Sequence, residues 1–120
     1  MQILAQILIG IIAALHLYIA WFEMFAWESR GPKVFTTFPK EMFAKTKAMA
    51  ANQGIYNAFL AAGLFWSLLI GDPAWAMRVA VCFLLFVAVA GLVGAMTVTK
   101  RIAFVQTVPA VIALTFVFLA

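Results

Sequence analysis

Two ionisable side chains within one apolar run are the first candidates for chemistry: His16 and Glu23, seven residues apart. At about 100° per residue in an α-helix they fall within roughly 20° of one another. Ala13, Ala20 and Trp27 lie on the same stripe. It therefore combines small residues for close helix approach with two groups able to move a proton. They stand roughly 10 Å apart along the axis, so a substrate or water must bridge them in any joint reaction. A second polar group opens another apolar stretch, with Gln53/Asn57 and Asn52/Tyr56 each spaced i, i+4. Gln106, beside Thr107 and Pro109, supplies a third. Amides of this kind orient a polar headgroup or stabilise an oxyanion. Glu23 and His16 are thus the candidate catalytic residues. Asn52, Gln53, Tyr56, Asn57 and Gln106 form the candidate ligand-binding set.

The elements that must position these residues are four apolar stretches. They run from about Gln2 to Trp27, Ala50 to Ile70, Ala74 to Val98, and Ile102 to the C-terminus. Each approaches the roughly 20 residues needed to cross the hydrocarbon. In lipid each backbone N–H and C=O must find a partner within its own segment, so all four are expected to be α-helices. The chain is 68% hydrophobic and only 10% charged, with a mean hydropathy of +1.12. Soluble domains carry about a quarter charged residues, and four spans with one longer loop leave no room for a soluble domain. The expectation is a single four-span domain over residues 1–120: an all-α integral membrane protein, built as a four-helix transmembrane bundle.

The charges give this bundle an orientation. Seven of the eight Lys and Arg residues (Arg30, Lys33, Lys40, Lys45, Lys47, Lys100, Arg101) lie in the first and third connections. In a four-span protein those connections share a face, and Lys/Arg excess marks the cytoplasmic one. Both termini are then expected outside, periplasmic or extracellular. The first stretch lacks the N-terminal positive charge of a signal peptide and reads as an anchor.

The first connection starts with Ser29-Arg30-Gly31-Pro32, a turn and helix-stop signal. From Pro39 onward, Lys-Glu-Met-Phe-Ala-Lys-Thr-Lys reads as an amphipathic cytoplasmic loop helix in the headgroup region, continuing into span two. Asp72 is placed to cap span three, with Pro73 at its first position. Pro109 frees a carbonyl about one turn earlier, near Val105 and Gln106. Ala90 and Gly94 form a small-xxx-small pair on span three, suited to a homo-oligomer or to packing within one chain.

On a common depth scale of about 1.5 Å per residue, His16, Asn57, Tyr56, Gln106, Gln53 and Glu23 all fall in the cytoplasmic half. Three uses compete for such a cluster. It could tie helices together, as in a structural or accessory subunit. It could bind or convert a small amphiphile entering from the inner leaflet, or cycle a proton on Glu23 in a small transporter. One His, one carboxylate and amides fall short of a metal ligand set, and neither haem nor another cofactor is indicated. The lone Cys82 permits no intrachain disulfide. Nucleic acid is not an expected partner, because the basic residues form no soluble face; the bilayer is.

The His16/Glu23 spacing, Glu23-Met24-Phe25 leading to Trp27, Lys33-Val34-Phe35 and Ala50-Ala51-Asn52-Gln53-Gly54-Ile55-Tyr56-Asn57 together resemble the thirteen-oh-four domain-of-unknown-function family. Those are small bacterial four-span inner-membrane proteins. The resemblance covers essentially the whole chain and implies a fold and a location, with no assigned activity. At fold level, the four spans and long basic first loop are also similar to the membrane-associated eicosanoid and glutathione metabolism proteins. The Arg and Glu of their second span are missing here. A Glu in the first of four spans is likewise similar to the small multidrug resistance exporters, although Glu23 lies nearer the cytoplasmic end.

Overall fold

A computed structural model describes residues 1–119. The chain forms α1 (Ile3–Phe25), α2 (Trp27–Val34), α3 (Met42–Lys45), α4 (Lys47–Leu69), α5 (Pro73–Thr97), a π-helical turn (Ala103–Thr107) and α6 (Val108–Phe118). No strand occurs among the described residues, so the all-α class expected from the sequence holds.

Helices α1 and α5 are long and apolar enough to cross a membrane, with mean hydropathies of 2.3 and 2.7. The other two expected spans fall short of that test. Helix α4 has the length, but Asn52, Gln53 and Asn57 in its first half dilute its apolar character. The last apolar helix, Ala103–Phe118, has a π-helical start and reaches only about 24 Å at 1.5 Å per residue. Large apolar side chains nevertheless point outward along the helices. Ile7 and Phe25 on α1, Phe59 and Leu69 on α4, Phe86 and Met96 on α5, and Phe104 and Phe118 near the C-terminus are all exposed. Such apolar faces on a monomer call for a lipid or protein covering.

The chain divides into two compact units, one of Met1–Ala14 with Leu60–Ala120 and the other of Leu15–Phe59. In the first, Ala5, Ile9, Leu64, Leu84, Val87 and Ala113 form the centre of an aliphatic core. Alanines and glycines bring the backbones together there, and short polar bonds secure them. Gln2 Nε2 donates to Phe116 O at 2.8 Å. Asp72 caps α5 as expected, accepting from Trp75 N at 3.0 Å, with Pro73 at the helix start.

The π turn follows from Pro109. Without an N–H at residue 109 the i→i−4 ladder is interrupted, and Val108 N reaches back five residues to Ala103 O. Thr107 Oγ1 donates to Ala88 O on α5 at 2.9 Å. Gly91 makes this approach possible, because a Cβ there would collide with Thr107 Oγ1 and lie 2.7 Å from its backbone nitrogen. Of the Ala90/Gly94 pair, Gly94 packs on Ile102 within the same chain, while Ala90 is exposed.

In the second unit, Ser29-Arg30-Gly31-Pro32 does not stop a helix. The backbone bends at Ala26 and continues as α2 to Val34, closing with Phe35 N to Gly31 O at 2.8 Å. Tertiary packing outweighs the local signal: Gly31 is buried directly against the Phe43 ring, where no Cβ would fit. The amphipathic helix expected from Pro39 is also shorter, running only from Met42 to Lys45 before a bend at Thr46. Thr46 Oγ1 donates to Met42 O at 2.8 Å, and such back-bonding to the i−4 carbonyl bends helices. The same oxygen accepts from Trp27 Nε1 at 3.0 Å. Trp27 also contacts the rings of Phe22, Phe35, Phe38 and Phe43 at centroid separations of 5.1–6.5 Å. Five aromatic residues thus cement the α1–α2 corner to α3. Outside the cluster, Lys47 Nζ meets Glu28 Oε1 at 3.2 Å in an exposed ion pair.

Candidate functional site

In the second unit a carboxyl group on α1 and an amide on α4 meet in apolar surroundings. The site is built from the small residues upward. Ala20 on α1 is buried and faces Gly54 on α4, where an added Cβ would lie 3.0 Å from Ala20 O, 2.5 Å from Met24 Cγ and 3.2 Å from Glu23 Cβ. Only a residue without a Cβ lets the helices come this close, as at other small-residue crossings in apolar settings. One turn further along α4, Asn57 is then within reach of Glu23.

Asn57 Nδ2 donates to Glu23 Oε1 at 2.5 Å, a bond that is strongest when the carboxyl is ionised. The same nitrogen lies 3.3 Å from Gln53 O on its own helix. Its two hydrogens thus have two acceptors, one of them a backbone carbonyl one turn earlier on α4. Asn57 is buried, with 6% of its surface exposed, whereas Glu23 is only partly covered. The carboxylate is therefore held by a rigid amide on one side and reachable on the other. That arrangement can hold a proton or a cationic or hydrogen-bonding group.

The remaining sequence candidates divide. His16 is fully buried on α1, seven residues before Glu23, so the roughly 10 Å rise between them separates it from the Glu23–Asn57 pair. Asn52 and Gln53 are exposed at the side chain. Gln53 enters the site through its backbone carbonyl instead. Tyr56 points outward and packs edge-on against Phe59, with centroids 6.3 Å apart. Gln106 sits in the π turn of the other unit. Gly54, which in the sequence stands out only as part of the family-like stretch 50–57, is the contact point between the helices. Sequence reasoning missed the Trp27–Thr46 bond, whose signal was an aromatic residue with a donor near a small hydroxyl in the same loop.

The chain is 28% identical over 116 residues to the uncharacterized protein YpaA of Lactococcus lactis subsp. lactis (strain IL1403), covering 95% of this chain and 96% of that one. No solved structure is significantly similar. Residues 10–118, which hold Glu23, Gly54 and Asn57, match the family described as Protein of unknown function (DUF1304), and the chain belongs to that family.

Proposed function

We propose that this chain is a multi-pass protein of a bacterial inner membrane that binds a small amphiphile at the Glu23–Asn57 pair. All four apolar stretches cross the bilayer, both termini lie outside, and the basic connections face the cytoplasm. The ligand enters from the inner leaflet. The observation that carries this reading is the Glu23–Asn57 hydrogen bond across α1 and α4. Polar groups in apolar surroundings are costly and tend to mark function. Here the carboxylate is fixed on one edge and partly open on the other. Binding is favoured over conversion because His16, the other proton-transfer candidate, stands roughly 10 Å along α1 from Glu23.

Purification in native-lipid nanodiscs followed by untargeted mass spectrometry tests the reading. A headgroup-bearing or amine-bearing small molecule is expected to co-purify with the wild-type protein, and to be depleted about tenfold or more in Asn57→Leu and Glu23→Gln, as loss of a charge-assisted bond implies. Identical small-molecule content in all three proteins counts against a binding site.

One observation favours a second reading, a proton-coupled transporter: Glu23 is the single carboxylate within either α1 or α5. In reconstituted vesicles that reading expects solute flux driven by a pH gradient and abolished by Glu23→Gln. Flux unaffected by the substitution excludes it.

A further inference from the structure

Among the cations of the basic first connection, Arg30 is held by aromatic side chains of α1. Glu28, its nearest acidic neighbour in sequence, is engaged by Lys47 at 3.2 Å, and among the described residues Arg30 has no carboxylate partner. Its guanidinium instead folds back along α1. Nη2 donates to Tyr18 OH at 3.3 Å, and Cζ lies 5.9 Å from the centre of the Trp21 ring. The Tyr18 and Trp21 rings themselves stand 5.9 Å apart. Both are about half exposed, at 48% and 45%, and lie on a face shared with exposed Leu17 and Phe25. Lys33, three residues along α2, is exposed as well and sits within about 60° of Arg30 around that helix.

A guanidinium held at the edge of an apolar face by a phenol and an indole presents further N–H donors to an anion's oxygens. The Tyr18 hydroxyl accepts from Arg30, so its own hydrogen remains to be donated. A planar guanidinium and a phenol O–H side by side suit phosphate oxygens, and Lys33 adds a second positive charge. The exposed apolar side chains on α1 suit acyl chains. Resting on the membrane-spanning reading above, we infer that Arg30, Tyr18, Trp21 and Lys33 form a site for the phosphate of an anionic glycerophospholipid in the inner leaflet. Two of the basic residues of the first connection thereby form a specific lipid contact on the bilayer-facing side of α1.

Native mass spectrometry from mixed phosphatidylglycerol/phosphatidylcholine nanodiscs tests this. Wild-type protein is expected to retain phosphatidylglycerol preferentially. Arg30→Ala is expected to lose about fivefold of that retention, as one surface cation is worth at an anionic bilayer, and Tyr18→Phe a smaller part. Arg78 serves as the control: it stacks over Trp75 at 5.0 Å without a hydroxyl partner, and Arg78→Ala is expected to change nothing. Equal loss in Arg78→Ala, or full retention in Arg30→Ala, overturns the site. Displacement of the lipid by millimolar inorganic phosphate would assign the contact to free phosphate and also overturn it. The membrane reading fails separately, if alkaline carbonate extracts the protein from its membranes. A protein that resists extraction yet shows no lipid preference refutes this inference alone.

Discussion

Trp27→Ala is expected to cost about 3 kcal/mol of stability, near the lower end for removal of a large aromatic side chain from a core. Trp27 stands at the centre of the Phe22, Phe35, Phe38 and Phe43 rings and donates to Thr46. Its loss removes the packing that holds the α1–α2 corner on α3, together with one hydrogen bond. Trp27→Phe separates the two contributions. It keeps most of the ring contacts and forfeits the Thr46 bond, for about 1 kcal/mol. Thermal unfolding in a single detergent or nanodisc preparation checks both. Equal losses in the two variants would mean that the hydrogen bond matters and the ring packing does not. Limited proteolysis of Trp27→Ala is expected to cut first between residues 35 and 41, in the connection between α2 and α3 that the ring packing no longer holds.

The second large effect belongs to Gly54. In a helix interior, glycine to alanine ordinarily stabilises by roughly 0.5–1 kcal/mol. Here the added Cβ would stand 3.0 Å from Ala20 O and 2.5 Å from Met24 Cγ. Met24 can turn aside, but a carbonyl in the middle of α1 cannot. Gly54→Ala is therefore expected to destabilise despite its better helix propensity. Gly54→Leu is expected to cost about 3 kcal/mol, the upper part of the range for overpacking. Because Asn57 lies one turn away on the same helix, separating α1 from α4 also lengthens the Glu23–Asn57 bond. Both variants should lose the ligand that Asn57→Leu loses, although neither removes a polar group. A Gly54→Leu protein with unchanged stability and ligand content would contradict the close crossing of the helices.

Helix α5 was readable in the sequence because its run from Val79 to Met96 carries no charge and its cap, Asp72-Pro73, is a local signal that survives folding. Pro109 announced an interrupted ladder, and the π turn ahead of it is that interruption. Glu23 and Asn57 stood out because polar groups in apolar runs are rare. Their partnership was not readable, since it depends on which face of α4 meets α1, and Gly54 decides that. Periodicity alone also grouped Asn52, Gln53 and Tyr56 with the site. Their side chains lie on the exposed side of the same helix, because a cluster one turn long spreads around more than one face. The aromatic cluster was hidden for a different reason. Trp27, Phe35, Phe38 and Phe43 sit among lysines in a stretch without one continuous period, and only the bends at Ala26 and Thr46 gather them.

The most direct measurement is a double-mutant cycle of Glu23→Gln and Asn57→Leu, read as thermal or denaturant unfolding in nanodiscs of fixed lipid composition. Hydrogen bonds between helices in apolar surroundings are usually worth about 0.6–2 kcal/mol, and a charged acceptor places this one in the upper part of that range. The account predicts a coupling of about 1–2 kcal/mol, with Asn57→Leu costing most while Glu23 retains its carboxylate. Additive losses, with no coupling between the two positions, would mean that Glu23 and Asn57 do not act together, and the proposed site would have no basis.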